Sequence, residues 1–352
     1  ELSTQNLSSN KTQSTLFILV VNCPQGGDKS AADRTIELLH QLKIQAVSQA
    51  TNDGLNNEEN LTYVDMTDGN GMVIVDRCTE GRQIPKKQGV GLARKIGADI
   101  ACYLISAGVV TSRWIHSTDA DVVLPADYFD IESADTHIEN KSSITCPIAL
   151  VYPFIHIPEK DYELAAKLYD WSLRYYVESI NWAGSPYAFH TIGSLIAVDF
   201  EAYAKVRGFP KRSGGEDFYL LNKLAKLGSI QKLQSQPIQI EARESDRVPF
   251  GTGPAVKKLS SIDDAKNISL YHPNSFEQLR IFHQLLNRLT EQKTLNGALS
   301  SIATELDSLS MNIKNCETIL TIIDKINLNK ALAHAFKQAQ SPNHRRAQLN
   351  IW

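Results

Sequence analysis

Apolar residues fall in short unbroken runs over the first third of the chain and in spaced stripes over its last quarter. Leu16-Phe-Ile-Leu-Val-Val21 is closed by Asn22, Pro24, Gly26 and Gly27, the form of a buried strand followed by a loop. A helix is predicted from about Ser30 to Leu42, and residues 52–60 read as polar loop. Met72-Val-Ile-Val-Asp76 reads as a second buried strand ending on a carboxylate. Gly89 to Ala101 reads as a helix, and Trp114 to Thr118 as a third strand that delivers Asp119. Strands alternating with helices predict a parallel α/β sheet. Such sheets bind ligands beyond the carboxyl ends of their strands, where Asp76 and Asp119 both fall.

The middle of the chain predicts a strand over Ile144 to Phe154 and an amphipathic helix over Asp161 to Ser179. That helix has Ala165, Leu168, Tyr169, Ser172, Tyr175 and Tyr176 on one face, whose aromatics are read as core, with the lining of an acceptor cleft as the alternative for one or two of them. Gly193 to Val198 reads as a strand, followed by a short helix and Gly208-Phe-Pro. A helix from Glu216 to Leu227 is closed by Gly228, and residues 243–254 read as a long ordered loop. From about Ser275 only helices are expected. One stripe is Phe276, Leu279, Phe282, Leu286 and Leu289; another is Ile319, Ile322, Ile323 and Ile326. They suit packing on the α/β part or on a second subunit, so a homo-oligomer through the C-terminal helices is one expectation. The chain divides on this reading into a disordered lead-in (1–14), an α/β domain (15–274, split near 125) and a helical region (275–352).

The 352 residues allow one large domain or a domain with an appendage. A hydrophobic content of 42% and a charged content of 21% suit an ordinary globular protein. A net charge of −3 gives no reason to expect nucleic acid or an acidic membrane surface. The longest apolar stretch, Ile100 to Val110, is about half of what a bilayer requires, so no transmembrane segment is expected. The five cysteines (Cys23, Cys78, Cys102, Cys146 and Cys316) are scattered, with no CxxC pair. That argues against a disulfide framework and structural zinc, and for free thiols in the cytoplasm.

Four segments carry candidate chemistry. Asp119-Ala-Asp121 at a strand end suits a hard divalent cation that keeps substrate phosphates in its shell; the alternative is a pair of loop aspartates capping a turn. In Gly214-Gly-Glu-Asp217 the glycines permit a tight turn. Glu216 and Asp217 are then candidate general bases, or acids that favour a helix N-terminus. Lys86-Lys-Gln-Gly-Val-Gly-Leu-Ala-Arg94 is a basic helix start suited to a diphosphate. Arg243 and Arg247, in one glycine-bearing loop, suit phosphates or a sugar, or pair with surface carboxylates. His116, His190 and His272 are candidate nitrogen ligands or structural histidines, and His272 is the best placed because it follows that loop.

Taken in order, these segments resemble a family 2-type glycosyltransferase of the GT-A fold. Met72 to Thr79 is similar to its base-holding strand, and Gln88 to Gly97 to its glycine-then-Ala-Arg helix. Ser117-Thr-Asp-Ala-Asp121 is similar to its DxD strand end. Thr191-Ile-Gly-Ser-Leu-Ile-Ala-Val, Arg207-Gly-Phe-Pro and Gly215-Glu-Asp217 are similar to its acceptor-side block. The resemblance spans residues 15–230. It implies a GT-A-like (Rossmann-like) mixed, mainly parallel sheet flanked by helices, here with a C-terminal helical extension. It also implies sugar transfer from a nucleotide-diphosphate donor to a hydroxyl acceptor. Asp76 would contact the base and Arg94 the nucleotide or diphosphate. Asp119 and Asp121 would bind ribose and a Mn²⁺ or Mg²⁺ ion, and Asp217, or else Glu216, would be the base. The polar insertion near residues 50–70 departs from the family pattern. Two other readings compete: a non-catalytic nucleotide-sugar binder on the same fold, and a haloacid dehalogenase-like phosphatase. The phosphatase would use Asp119 as nucleophile, with Asp263 and Asp264 as its late metal pair.

Overall fold

Three small sheets of mixed strand direction, flanked by helices, make up the α/β part of a computed structural model describing residues 14–57, 60–131, 146–245, 250–260, 268–309 and 313–349. The chain divides into two units, the first of residues 1–163 and 191–254, the second of residues 164–190 and 255–352. The segment 164–190, grouped on sequence with the α/β domain, belongs to the second unit, which begins its C-terminal part at residue 255 and not 275.

In the first unit, β1 (Leu16–Asn22) leads to α1 (Lys29–Ser48), β2 (Ala50–Asn57), β3 (Leu61–Met66) and β4 (Gly71–Arg77). These strands form one sheet in the order β1-β4-β3-β2. β1 and β4 pair in parallel from Leu16↔Gly71 to Asn22↔Arg77, so Asp76 does lie at a carboxyl end. Residues 52–57 of the stretch read as polar loop belong to strand β2. β2 and β3 add antiparallel at the edge, where main-chain hydrogen bonds do not require apolar side chains. Thr62 and Val64 of β3 are buried in alternation with more exposed neighbours.

Helix α2 (Gly89–Ser106), β5 (Trp114–Ser117) and β6 (Val122–Val123) follow, then β7 (Ala149–Val151) and β8 (Phe154–Pro158). After α3 (Glu163–Trp182), β9 (Ile196–Asp199), α4 (Phe200–Lys205), α5 (Glu216–Leu224), β10 (Ile230–Lys232) and β11 (Ile238–Ala242) complete the strands. The second sheet has the order β10-β7-β9-β5 and the third β6-β11-β8. Among the described residues only β1/β4, β7/β10 and β8/β11 are parallel, while β2/β3, β3/β4, β5/β9, β7/β9 and β6/β11 are antiparallel. The expectation of a mainly parallel sheet is therefore corrected. Links such as residues 67–70 are too short for a crossover of a dozen or more residues, which parallel neighbours require. Gly193–Leu195, read as strand, is a turn of 3₁₀-helix that precedes β9.

Helix α6 (Thr252–Ser260) carries the chain into the second unit, replacing the end of the predicted loop. There α7 (Pro273–Glu291), α8 (Leu295–Leu309), α9 (Ile313–Lys325), α10 (Leu328–Gln338) and α11 (Pro342–Leu349) share a core of their own, including Leu285, Leu289, Ala298, Leu306, Leu332 and Ala335. Buried Arg345 donates to the carbonyls of Thr290 (3.1 Å), Gln292 (2.8 Å), Ala339 (3.0 Å) and Gln340 (2.7 Å). It satisfies main-chain acceptors at two helix ends and lies 4.1 Å from the Phe336 ring. The face of α3 expected in the core is there only in part: Ala165 is buried, together with Ala166, Val177 and Ile180, while Tyr175 is half-buried and Tyr176 is exposed.

Candidate functional site

Arg94 organises the first unit's candidate site. It projects from α2, and its side chain is only 10% exposed. Nε donates to Glu216 Oε1 (3.0 Å), and Nη1 to Ser117 Oγ (2.9 Å) and the Gly193 carbonyl (3.1 Å). Nη2 donates to Asp119 Oδ1 (2.6 Å). Four of the five guanidinium N–H groups thus hold together the start of α5, the end of β5, the DxD turn and the 3₁₀ turn before β9. Gly193 is required by this approach, since a Cβ there would lie 2.6 Å from Arg94 Cζ. Arg94 is thereby committed to protein acceptors, unlike the nucleotide contact the resemblance implies for it.

The entry to α5 separates the two candidate bases. Gly215 takes a left-handed conformation (φ +71°) and turns the chain into the helix. Glu216 is 5% exposed and ion-paired to Arg94. Asp217 is only partly buried. Desolvation pushes its carboxyl up to about 6, Glu216 adds to this, and the Phe218 N–H and Arg94 oppose it. Asp217 can therefore exchange a proton near neutral pH, while Glu216 neutralises the buried guanidinium.

Asp119 and Asp121 remain 42% and 48% exposed. β11 lies antiparallel to β6 with Ile240 opposite Val122, which brings Arg243 to 3.6 Å from Asp121 Oδ2 and 3.1 Å from Glu241 Oε2. Among the described residues no group of three or more His, Cys, Asp or Glu side chains is arranged to hold a metal ion. Two accessible carboxylates do suit Mg²⁺, which is commonly held by one or two carboxylates with waters and substrate phosphates completing the shell.

Asp76 is buried and turned into its own loop. It accepts from the Cys78 N–H (3.0 Å), the Thr79 N–H (3.1 Å), the Thr79 hydroxyl (2.6 Å) and Arg82 (2.9 Å). Desolvation raises its pKa, but these hydrogen bonds outweigh it and hold the carboxyl well below the usual range. About four acceptor positions are available to a carboxylate, so the base contact the resemblance implies would compete with these bonds. The start of α2 is covered rather than open to a diphosphate. The Gly91 N–H donates to the Arg212 carbonyl (2.9 Å), and a Cβ at Gly91 would lie 2.6 Å from that oxygen.

His116 and His272 go to structural positions. His116 packs against Tyr128 and Phe129, its Nδ1 3.2 Å from the Tyr152 hydroxyl, and burial pushes its pKa down to about 4. His272 caps α7, Nδ1 accepting from the Asn274 N–H at 3.1 Å. His272 and His190 belong to the second unit. Arg247, Asp263 and Asp264 lie outside the described residues. Phe250 was not singled out on sequence. It is exposed, and its ring approaches Gly214 so closely that a Cβ there would lie 2.9 Å from Cζ. The absence of any side chain at 214 was the available signal. All five cysteines are free, and no helix among the described residues is long and apolar enough to cross a membrane. Comparison with protein-family models, with curated proteins and with solved structures found no match.

Proposed function

We propose that the first unit is a metal-dependent glycosyltransferase that moves a sugar from a nucleotide-diphosphate donor to a hydroxyl acceptor. One observation carries this reading. Arg94 gathers the DxD strand end, the Gly193 turn and the Glu216-Asp217 helix start around one guanidinium. Segments 23 to 122 residues from Arg94 in sequence meet there, as a composite site requires.

Asp119 and Asp121 would hold Mn²⁺ or Mg²⁺, whose chemistry here is to neutralise charge on the leaving diphosphate. Arg94 fixes the Asp119 carboxylate, and Arg243 adds positive charge beside Asp121. In a direct displacement Asp217 accepts the proton of the acceptor hydroxyl as that oxygen bonds to the sugar carbon and the diphosphate departs. A carboxyl with a pKa near 6 suits that step at neutral pH.

The test is release of nucleoside diphosphate from a panel of nucleotide sugars, with and without EDTA, alongside donor affinity measured by calorimetry. Asp217→Asn is expected to reduce turnover about 10²-fold or more with donor affinity unchanged. Equal loss of both would make Asp217 a helix-start residue only. The pairing of both DxD carboxylates with arginines favours a second reading, a nucleotide-sugar binder without transfer. Donor binding with no diphosphate release from any acceptor mixture would select it.

A further inference from the structure

Helix α3 is apolar on two opposite faces. Ala165, Ala166, Val177 and Ile180 are buried. Leu164, Trp171 and Trp182 are 61%, 52% and 53% exposed. At about 100° per residue, these three and Tyr175 fall within about 20° of one line, on the side away from the buried residues. Tryptophan and tyrosine concentrate at the centres of protein interfaces.

The stripe is held in place before any partner arrives. The Trp171 and Tyr175 rings lie 6.0 Å apart, and Tyr175 meets the edge of Phe276 at 5.7 Å. The Tyr175 hydroxyl donates to the Tyr271 carbonyl at 2.8 Å. Arg280 lies over the Trp182 ring at 4.5 Å. Ordering these side chains in advance lowers the entropic cost of association.

The stripe is also self-complementary. Leu164 and Trp182 stand nine residues to either side of Leu173, and Trp171 and Tyr175 stand two to either side. An antiparallel pairing about a two-fold axis at Leu173 places Leu164 on the partner's Trp182 and Trp171 on the partner's Tyr175. Lys167 and Glu178 lie along one flank with Arg174, whose charge is met by Asp170 at 3.2 Å; such an axis sets Lys167 beside the partner's Glu178. The other flank carries the uncharged Leu168, Ser172 and Ser179. Two-fold symmetry demands such self-matching of a patch.

We propose that the Leu164, Trp171, Tyr175 and Trp182 face of α3 is a homodimer interface, packed antiparallel against the same face of a second copy. This is independent of the activity proposed for the first unit.

Sedimentation velocity of the full chain over a concentration series tests it. The expected species has twice the 39.1 kDa chain mass. Trp171→Glu is expected to return it to the monomer mass. Lys167→Glu sets like charges together twice per dimer and is expected to weaken association by about tenfold or more. Adding Glu178→Lys is expected to restore it, a rescue that misfolding would not produce. A monomer at every concentration overturns the proposal, as does a dimer indifferent to Trp171→Glu or a charge swap without rescue. Flotation of the monomer with phosphatidylcholine–phosphatidylserine vesicles, lost in Trp171→Glu, would assign the face to a lipid surface and also overturn it.

Discussion

Replacing Arg94 with alanine removes the cation that joins four segments. The largest consequence falls on Glu216, whose side chain is 5% exposed and would be left as a buried carboxylate without its partner. Breaking a buried ion pair from one side costs about 3–5 kcal/mol. Loss of the Asp119 contact adds at most about 1 kcal/mol, because that carboxylate is 42% exposed and screened. The expected loss is therefore about 3–6 kcal/mol, or on the order of 10–15 °C in Tm at about 2–4 °C per kcal/mol for a unit of this size. Urea unfolding followed by circular dichroism reads the loss. Glu216→Gln supplies a second arm, since removing the charge from the Arg94→Ala background should recover much of it. A loss below about 1 kcal/mol, or strict additivity of the two substitutions, would refute the assignment of Arg94 as the buried centre of the site.

Other outcomes follow from the same geometry. Asp217→Asn should stabilise the protein above pH 6 and be neutral below pH 3.8, because a carboxyl raised from 3.8 to about 6 costs stability as pH rises through that interval. The cost is roughly 3 kcal/mol before discounting for partial exposure and about 1–2 after it, and a thermal melt series in pH would show a flat difference if the raised pKa is wrong. Asp76→Asn should destabilise by about 1.5–3 kcal/mol at pH 7 through lost charge-assisted bonds. Its folded pKa is depressed, so that deficit should shrink as pH falls below the ordinary 3.8; a deficit independent of pH would contradict it. Gly193→Ala should cost about 1–3 kcal/mol by overpacking and weaken metal-dependent donor binding, whereas unchanged melting and binding would mean that Arg94 can move aside. Arg345→Met should destabilise the second unit by about 3 kcal/mol or more, read by hydrogen exchange at the α7 and α10 ends.

Legibility in the sequence tracked how strongly each residue's environment is dictated locally. The run at Met72 to Asp76 was legible as a buried strand, and Leu16 to Val21 as a strand, although only Val21 of that run is buried and the rest is half-buried; the C-terminal stripes marked helices by their spacing. Strand direction was illegible, since β2 is polar and the direction of β2 and β3 follows from link length and main-chain pairing. On α3, periodicity located a helix but not which of its two apolar faces is buried. The candidate site was legible as separate segments: Asp119, Asp121, Glu216 and Asp217 were each visible as carboxylates at element ends. Their convergence on Arg94 was not, because it depends on contacts across up to 122 positions. Nor could sequence separate Glu216 from Asp217, adjacent acids distinguished only by the guanidinium that one of them meets.

A thermal-shift panel reads out whether the first unit holds a metal-dependent site for a nucleoside diphosphate. UDP, GDP, CDP and dTDP would each be measured with Mn²⁺, with Mg²⁺ and with EDTA, on the wild type and on Asp121→Ala. A ligand that binds only the folded state at 100 times its Kd adds about 2.7 kcal/mol. The account predicts that at least one diphosphate raises Tm with metal, that EDTA abolishes the rise, and that Asp121→Ala loses it while melting near the wild-type temperature without ligand. No rise with any diphosphate, or a rise unchanged by EDTA and by Asp121→Ala, would contradict it.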